Sequence, residues 1–212
     1  QVQRHHIRIV RELARSGVHE IQLDYVRFPS SGEVAAPVYP RMQRTKGQTR
    51  AQVITDFIRQ IKKAISPYPV LLSADIFGIT AWSSKRDKKT IGQDLKAIAQ
   101  YLDIISPMLY PSHFNYGFAN IAEPANRPRY FLFHGVRKIR QLTHNRAIVR
   151  PWIQAFDYRV RRFDYAYIHK QIDSAIKAGA IGYLLWHAAG DYSLITRPGH
   201  SLPRKKKDIA NR

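Results

Sequence analysis

The chain has 212 residues, enough for one domain with a sizeable core, and 44% of them are hydrophobic, which excludes wholesale disorder. It has no cysteine, so disulfides, thiolate zinc sites, iron–sulfur clusters and a cysteine nucleophile are excluded, and no apolar run approaches the ~20 residues of a membrane-spanning helix. Thirty-five Lys and Arg against 15 Asp and Glu give a net charge of +20, which attracts anionic partners such as acidic glycans, nucleic acid or anionic lipid.

Val2 to Arg15 places Ile7, Val10, Leu13 and Ala14 on one helical face, and Ser16-Gly17 closes it. His19 to Arg27 reads as a strand. The segment Pro29 to Gln48 is too long and polar for an ordinary βα connection and reads as a lid or specificity loop. Thr49-Arg50-Ala51-Gln52 fits a capping box, in which the first side chain and the fourth satisfy each other's free backbone N–H groups. The helix behind it carries Val53, Ile54, Phe57, Ile58 and Ile61 and stops before Pro67. Val70 to Asp75 is the next strand. Thr90-Ile91-Gly92-Gln93 reads as a second capping box, opening a short helix through Leu95, Ile98 and Leu102.

Asp103 to Tyr110 is a third strand, and Ser112 to Arg127 a second long loop, with Phe114, Tyr116 and Phe118. Pro128 precedes a helix to about Thr143. Ala147 to Phe156 is a strand, Asp164 caps a helix through Ile168, Ile172, Ala175 and Ile176, and Gly179 ends it. Ile181 to Trp186 is the final strand. Residues 196–212, with the run Arg204 to Lys207, read as a basic tail.

This α-β alternation implies a parallel sheet, either doubly wound or part of a barrel. The strand ends favour the barrel. Asp24 and Arg27, Asp75, Tyr110, Gln154 and Trp186 lie where strands run out, and a barrel gathers its active site from several strands at that rim. No glycine-rich phosphate loop appears. Alternation adds a second argument: Gln22, Asp24 and Val26 share one face of their strand, Leu71, Ser73 and Asp75 another, and Arg150, Trp152 and Gln154 a third, with apolar residues opposite.

Five segments carry a resemblance: Leu23-Asp24-Tyr25-Val26-Arg27-Phe28-Pro29, Ser73-Ala74-Asp75-Ile76-Phe77-Gly78, Ile105 to His113 (ISPMLYPSH), Arg150-Pro151-Trp152-Ile153-Gln154-Ala155-Phe156 and Gly182-Tyr183-Leu184-Leu185-Trp186. Together they resemble the putative glycosyl hydrolase domain family, bacterial barrels distantly related to the α-amylase and α-galactosidase groups. The resemblance implies a (β/α)8 TIM-type barrel of which residues 1–195 cover about the last five strands. The strand ending at Asp24 would be the fourth, so further strands are expected upstream in a longer protein. Where the family has an Asn-like residue after Trp186, this chain has His187. The resemblance also implies a polysaccharide substrate and an exported or envelope-associated protein.

Glycoside cleavage needs two carboxylates, one to protonate the leaving oxygen and one to act as nucleophile or base. Asp24, with Arg27 nearby to keep it ionised, is the candidate nucleophile; Asp75, at the end of an apolar strand, has the desolvated approach that suits a general acid–base. Tyr110, Trp152 and Trp186 are candidates for a sugar platform, because aromatic faces pack on the apolar side of pyranose rings. Arg150 and Gln154 are candidate partners of sugar hydroxyls, with Arg150 alternatively paired to Asp24 or Asp75. His113 and His187 stand near the rim and are candidate substrate contacts. Asp103 starts its strand and belongs to the opposite rim. No metal motif is present and no cofactor is expected. Two rival readings remain: a non-catalytic binder of anionic polymer or glycan through the basic surface, and a truncated barrel that is inactive alone.

Overall fold

The structure is a computed structural model and describes residues 2–30, 32, 39, 47–82 and 89–196. The basic run at 204–207 and most of the loop between Pro29 and Gln48 lie outside the described residues, so their readings as tail and lid have no structural counterpart here.

Six parallel strands form one curled sheet with helices on its outer face: β1 (Glu20–Leu23), β2 (Leu71–Phe77), β3 (Ile104–Met108), β4 (Ile148–Val149), β5 (Trp152–Gln154) and β6 (Leu184–Trp186). The order is β1-β2-β3-β5-β6, with β4 also on β3, so neighbours in space are neighbours in sequence. A doubly wound sheet would reverse direction at a central switch point, and this one does not. The architecture is a half-barrel of TIM type.

The helices are α1 (Val2–Arg15), α2 (Arg50–Ile65), α3 (Leu95–Ile98), α4 (Pro128–Leu142), α5 (Tyr165–Lys177) and α6 (Ser193–Thr196). The capping box at Thr49 is present, its side chain accepting from Gln52 N while Gln52 Oε1 accepts from Thr49 N at 2.8 Å. Asp164 caps α5 by accepting from Tyr167 N at 2.9 Å. Between sheet and helices lies the apolar core, including Ile58, Ile61, Leu72, Ile76, Ile105, Phe131, Ile153 and Ile172, each fully buried. Gly78 marks a close approach: a Cβ there would stand 2.3 Å from the backbone oxygen of Met108, so only glycine lets β2 leave the sheet beside β3.

Three sequence expectations need correction. The first strand stops at Leu23 rather than Arg27, because Tyr25 turns into the left-handed region (φ 51°); Val26 consequently joins the buried core instead of the barrel mouth. The expected strand from Ala147 to Phe156 is two pieces, since Pro151 has no N–H to give the ladder. The second capping box does not cap: α3 starts at Leu95 with Asp94 accepting from Lys96 N, which releases Gln93 for another task.

Candidate active site

The parallel register sorts the concave face into layers. Gln22 pairs with Ser73, Ser73 with Ile104 and Ile104 with Ile148; one level higher Asp75 pairs with Ser106; above that Phe77, Met108, Trp152 and Leu184 align. Asp24 follows Leu23 just as Asp75 follows Ala74, and Leu23 pairs with Ala74. Asp24, the first residue past β1, therefore leaves its strand beside the level of Asp75 in β2, close enough for its charge to act on the Asp75 carboxyl.

Asp75 is buried. Its Oδ1 accepts the Trp152 indole Nε1–H at 2.7 Å and an N–H of the Gln22 amide. Both donors thus hold one carboxylate oxygen, Gln22 from β1 beside β2 and Trp152 from β5 beyond β3. Burial pushes the Asp75 carboxyl above the usual aspartate range; the two hydrogen bonds and the Arg150 charge oppose this, and the charge of Asp24 reinforces it. Asp24 is exposed, with Oδ1 accepting from the N–H of Tyr25 at 2.7 Å. Tyr110, at the end of β3, is buried, and its phenol is raised by burial and by both aspartates. Asp24, Asp75, Tyr110 and Trp152 are thereby one electrostatic neighbourhood.

The other candidates fall into two groups. Trp186 is half-exposed and meets Trp152 edge to face, ring centroids 5.9 Å apart, so the two indoles stand together at the mouth. His113 packs edge-on against Tyr110, Phe156 and Tyr158. Desolvation there lowers its imidazole pKa, and the Arg159 charge adds to the effect.

Gln154, in contrast, is fully buried and already engaged. Its Oε1 accepts from Ser112 N at 3.1 Å and its Nε2 donates to the carbonyls of Phe156 and Tyr158, so it ties loops together and is not exposed to a sugar. His187 Nδ1 accepts from the backbone N–H groups of Ala189 and Asp191, each at 3.2 Å, which makes it the brace of a turn.

Arg27 does not pair with Asp24 among the described residues. Its guanidinium donates to Phe28 O and Ser30 Oγ and lies over the rings of Phe77 and Tyr25, a geometry set by the turn at Tyr25. Arg150 pairs with neither aspartate. It clasps both carboxylate oxygens of Glu20 across the concave face, and Ser73 Oγ donates to the same carboxylate at 2.5 Å. The guanidinium holds Glu20 below the usual glutamate range, against the effect of burial. Asp103 accepts from Lys62 Nζ at 2.5 Å and Leu72 N at 2.8 Å, at the opposite end of the strands from Asp75.

Two contributors escape a reading of strand ends alone. Glu20 shares the alternation of Gln22 and Asp24, which is its only signal in the sequence. Gln93, buried in a loop, has none: Phe77 N donates to its Oε1 at 3.0 Å, and its Nε2 donates to Asp75 O at 3.2 Å and Val26 O at 3.4 Å. It bridges the two segments that carry the aspartates.

A curled parallel sheet with acidic and aromatic side chains at its C-terminal rim is the arrangement of a TIM-type barrel, which gathers its active site at that rim. The solved structures it is similar to include the PgaB (BpsB) glycoside hydrolase domain from Bordetella bronchiseptica, at 18% identity and TM-score 0.57, covering 87% of this chain and 56% of that one. The spore cortex-lytic enzyme SleL of Bacillus megaterium is similar at 12% identity and TM-score 0.54, covering 90% and 50%. A GH18 chitinase from Pseudoalteromonas aurantia matches at 11% identity and TM-score 0.53, covering 90% and 67%. This chain spans about half the length of the first two. These likenesses establish the fold. The chain belongs to the family described as "Putative glycosyl hydrolase domain", whose model matches residues 1–192. No curated protein matches it.

Proposed function

We propose that this chain carries the catalytic carboxylates of a retaining glycoside hydrolase acting on a polysaccharide, one of the bacterial envelope in the reading we favour. Asp24 is the nucleophile and Asp75 the general acid–base. The observation that carries the proposal is the contrast between two adjacent aspartates: one exposed, the other buried, braced by Trp152 and Gln22 and held above the ordinary range. Two neighbouring carboxyls in unlike surroundings are what acid and nucleophile roles require.

In the first step Asp75 gives its proton to the glycosidic oxygen as the bond from that oxygen to the anomeric carbon breaks, and an Asp24 oxygen bonds to that carbon. In the second, water attacks the same carbon and gives a proton to the Asp75 carboxylate, and the bond to Asp24 breaks. Retention calls for carboxyls about 5–5.5 Å apart, the separation this proposal expects of Asp24 and Asp75. Trp152 and Trp186 offer apolar surface to the sugar ring, with Tyr110 buried behind them.

The test is a pair of variants on a substrate the wild-type chain cleaves. Asp24→Asn is expected to abolish turnover with the fold intact, and added azide to restore it by forming a glycosyl azide. Asp75→Asn is expected to spare kcat/KM on aryl glycosides with good leaving groups while kcat falls, because the second step loses its base, and to cost about 10²–10⁴-fold in kcat/KM on poor ones. Near-normal turnover by Asp24→Asn would overturn the assignment.

A further inference from the structure

The loop after β5 carries three arginines within four residues: Arg159, Arg161 and Arg162. Two of them have acidic partners, Arg161 with Glu123 at 2.6 Å and Arg162 with Asp164 at 2.7 Å. Arg159 has no carboxylate partner among the described residues. Its guanidinium instead lies over two tyrosine rings, 5.0 Å from the centroid of Tyr158 and 5.9 Å from that of Tyr116. Both tyrosines are exposed, 48% and 69%, although burying an aromatic ring is ordinarily favourable.

The backbone supports the same reading. Arg159 sits in the left-handed region at φ 59°, a conformation that costs a non-glycine residue free energy. Gln154 holds the turn in place through the carbonyls of Phe156 and Tyr158. The strained turn therefore aims a cation that no carboxylate among the described residues neutralises.

Its position relative to the aspartates follows from ring contacts. Trp152 of β5 donates to Asp75, and the same strand runs on into the loop of Arg159; across from it His113 stands 5.2 Å from Tyr110 and Tyr158 stands 6.2 Å from His113. A line of rings thus leads from Tyr110, itself buried, through His113 and Tyr158 to Arg159, a track along the loops after β3 and β5 on the rim where Asp75 stands. A polysaccharide lying on that track would present a neighbouring sugar to the guanidinium.

We infer that Arg159, held between Tyr116 and Tyr158, is a specificity subsite for an acidic sugar, a residue bearing a carboxylate or a sulfate next to the sugar that is cleaved. The planar guanidinium offers two parallel N–H groups to one oxyanion while its face stays on the tyrosines. Arg27 is the useful contrast. It also lies over two rings, yet it spends its donors on Phe28 O and Ser30 Oγ. The inference rests on the proposed glycan site but not on its chemistry.

The experiment is therefore a binding one on the 212-residue chain, by affinity electrophoresis at physiological salt. The probes are polygalacturonate against its methyl ester and dextran sulfate against dextran, each pair sharing a backbone. We expect at least one acidic probe to bind more tightly than its neutral form. Arg159→Gln is expected to weaken that binding roughly tenfold, as loss of a charged hydrogen-bonding pair does, with neutral probes unaffected. Arg159→Lys should fall between, since the ammonium keeps the charge but not the planar fork. Arg11→Gln, an exposed arginine on α1, controls for the general field of a +20 chain. Equal weakening by Arg11→Gln and Arg159→Gln, or equal binding of the acidic and neutral forms by the wild type, would sink the inference. Arg159-dependent acidic binding together with near-normal turnover by Asp24→Asn would sink the catalytic proposal alone.

Discussion

At the residue scale, Asp75 is a carboxyl whose folded environment prefers it protonated. Burial is the main cause, with the Asp24 charge adding to it. A carboxyl raised by folding contributes stability below its unfolded value, and the contribution is lost as pH rises through the folded value. Between ordinary aspartate titration and the raised value, the unfolded chain binds fewer protons than the folded one. Stability therefore falls with rising pH in that window. Asn keeps an oxygen to accept from Trp152 and Gln22 but carries no charge. The Tm of Asp75→Asn should accordingly match the wild type in acid and exceed it increasingly towards neutral pH, as scanning calorimetry across pH would record. Trp152→Phe removes a hydrogen bond that lowers the Asp75 pKa. It should move the carbon-13 titration of the Asp75 carboxyl to higher pH; a shift downward would mean that Trp152 does not stabilise the ionised form.

At the element scale, the half-barrel depends on loops that hold adjacent strands in phase. Gln93 is the clearest case, because one buried amide closes three backbone groups from two segments. Gln93→Leu keeps the bulk and removes the partners. The unpaired Phe77 N–H alone should cost about 1–3 kcal/mol, read as a lower urea midpoint with an unchanged m-value. A midpoint equal to wild type would mean that solvent reaches those groups. Elements and their order were legible in the sequence because helix periods and strand alternation are local. The cap residues Thr49 and Asp164 declared two helix starts in the same way. The failures have a common physical origin. Tyr25 enters a left-handed turn that no neighbouring glycine announces, and Gln93 earns its place from partners up to 67 residues away. Asp24 and Asp75 were visible as strand-end acids, and register pairs the residues that precede them, Leu23 and Ala74. That Arg150 clasps Glu20, 130 positions away, is a cross-sheet fact that alternation could not supply.

At the scale of the whole molecule, the concave face explains how the sheet distributes its side chains. Its upper layers carry Asp24, Asp75, Trp152 and Trp186, and the Glu20–Arg150 pair lies below them, Glu20 at the start of β1. Leu71, Ile148 and Trp186, which the register places on this face, remain 47%, 38% and 45% exposed. In a closed barrel such positions fill an interior packed by side chains from every strand. Among the described residues, β1 and β6 each have one neighbour, so two sheet edges also offer free backbone groups. Exposed apolar side chains and open edges on one face favour association with a like surface. We expect the 212-residue chain, expressed by itself, to self-associate: sedimentation velocity should give a mass that rises with concentration. Replacing both Leu71 and Ile148 with Lys places charge on the open face without touching the outer core. The double variant should remain monomeric at concentrations where the wild type does not, with its circular dichroism unchanged. A wild-type chain that stays monomeric and unfolds in one cooperative step would mean that this concave face is stable against water as it stands.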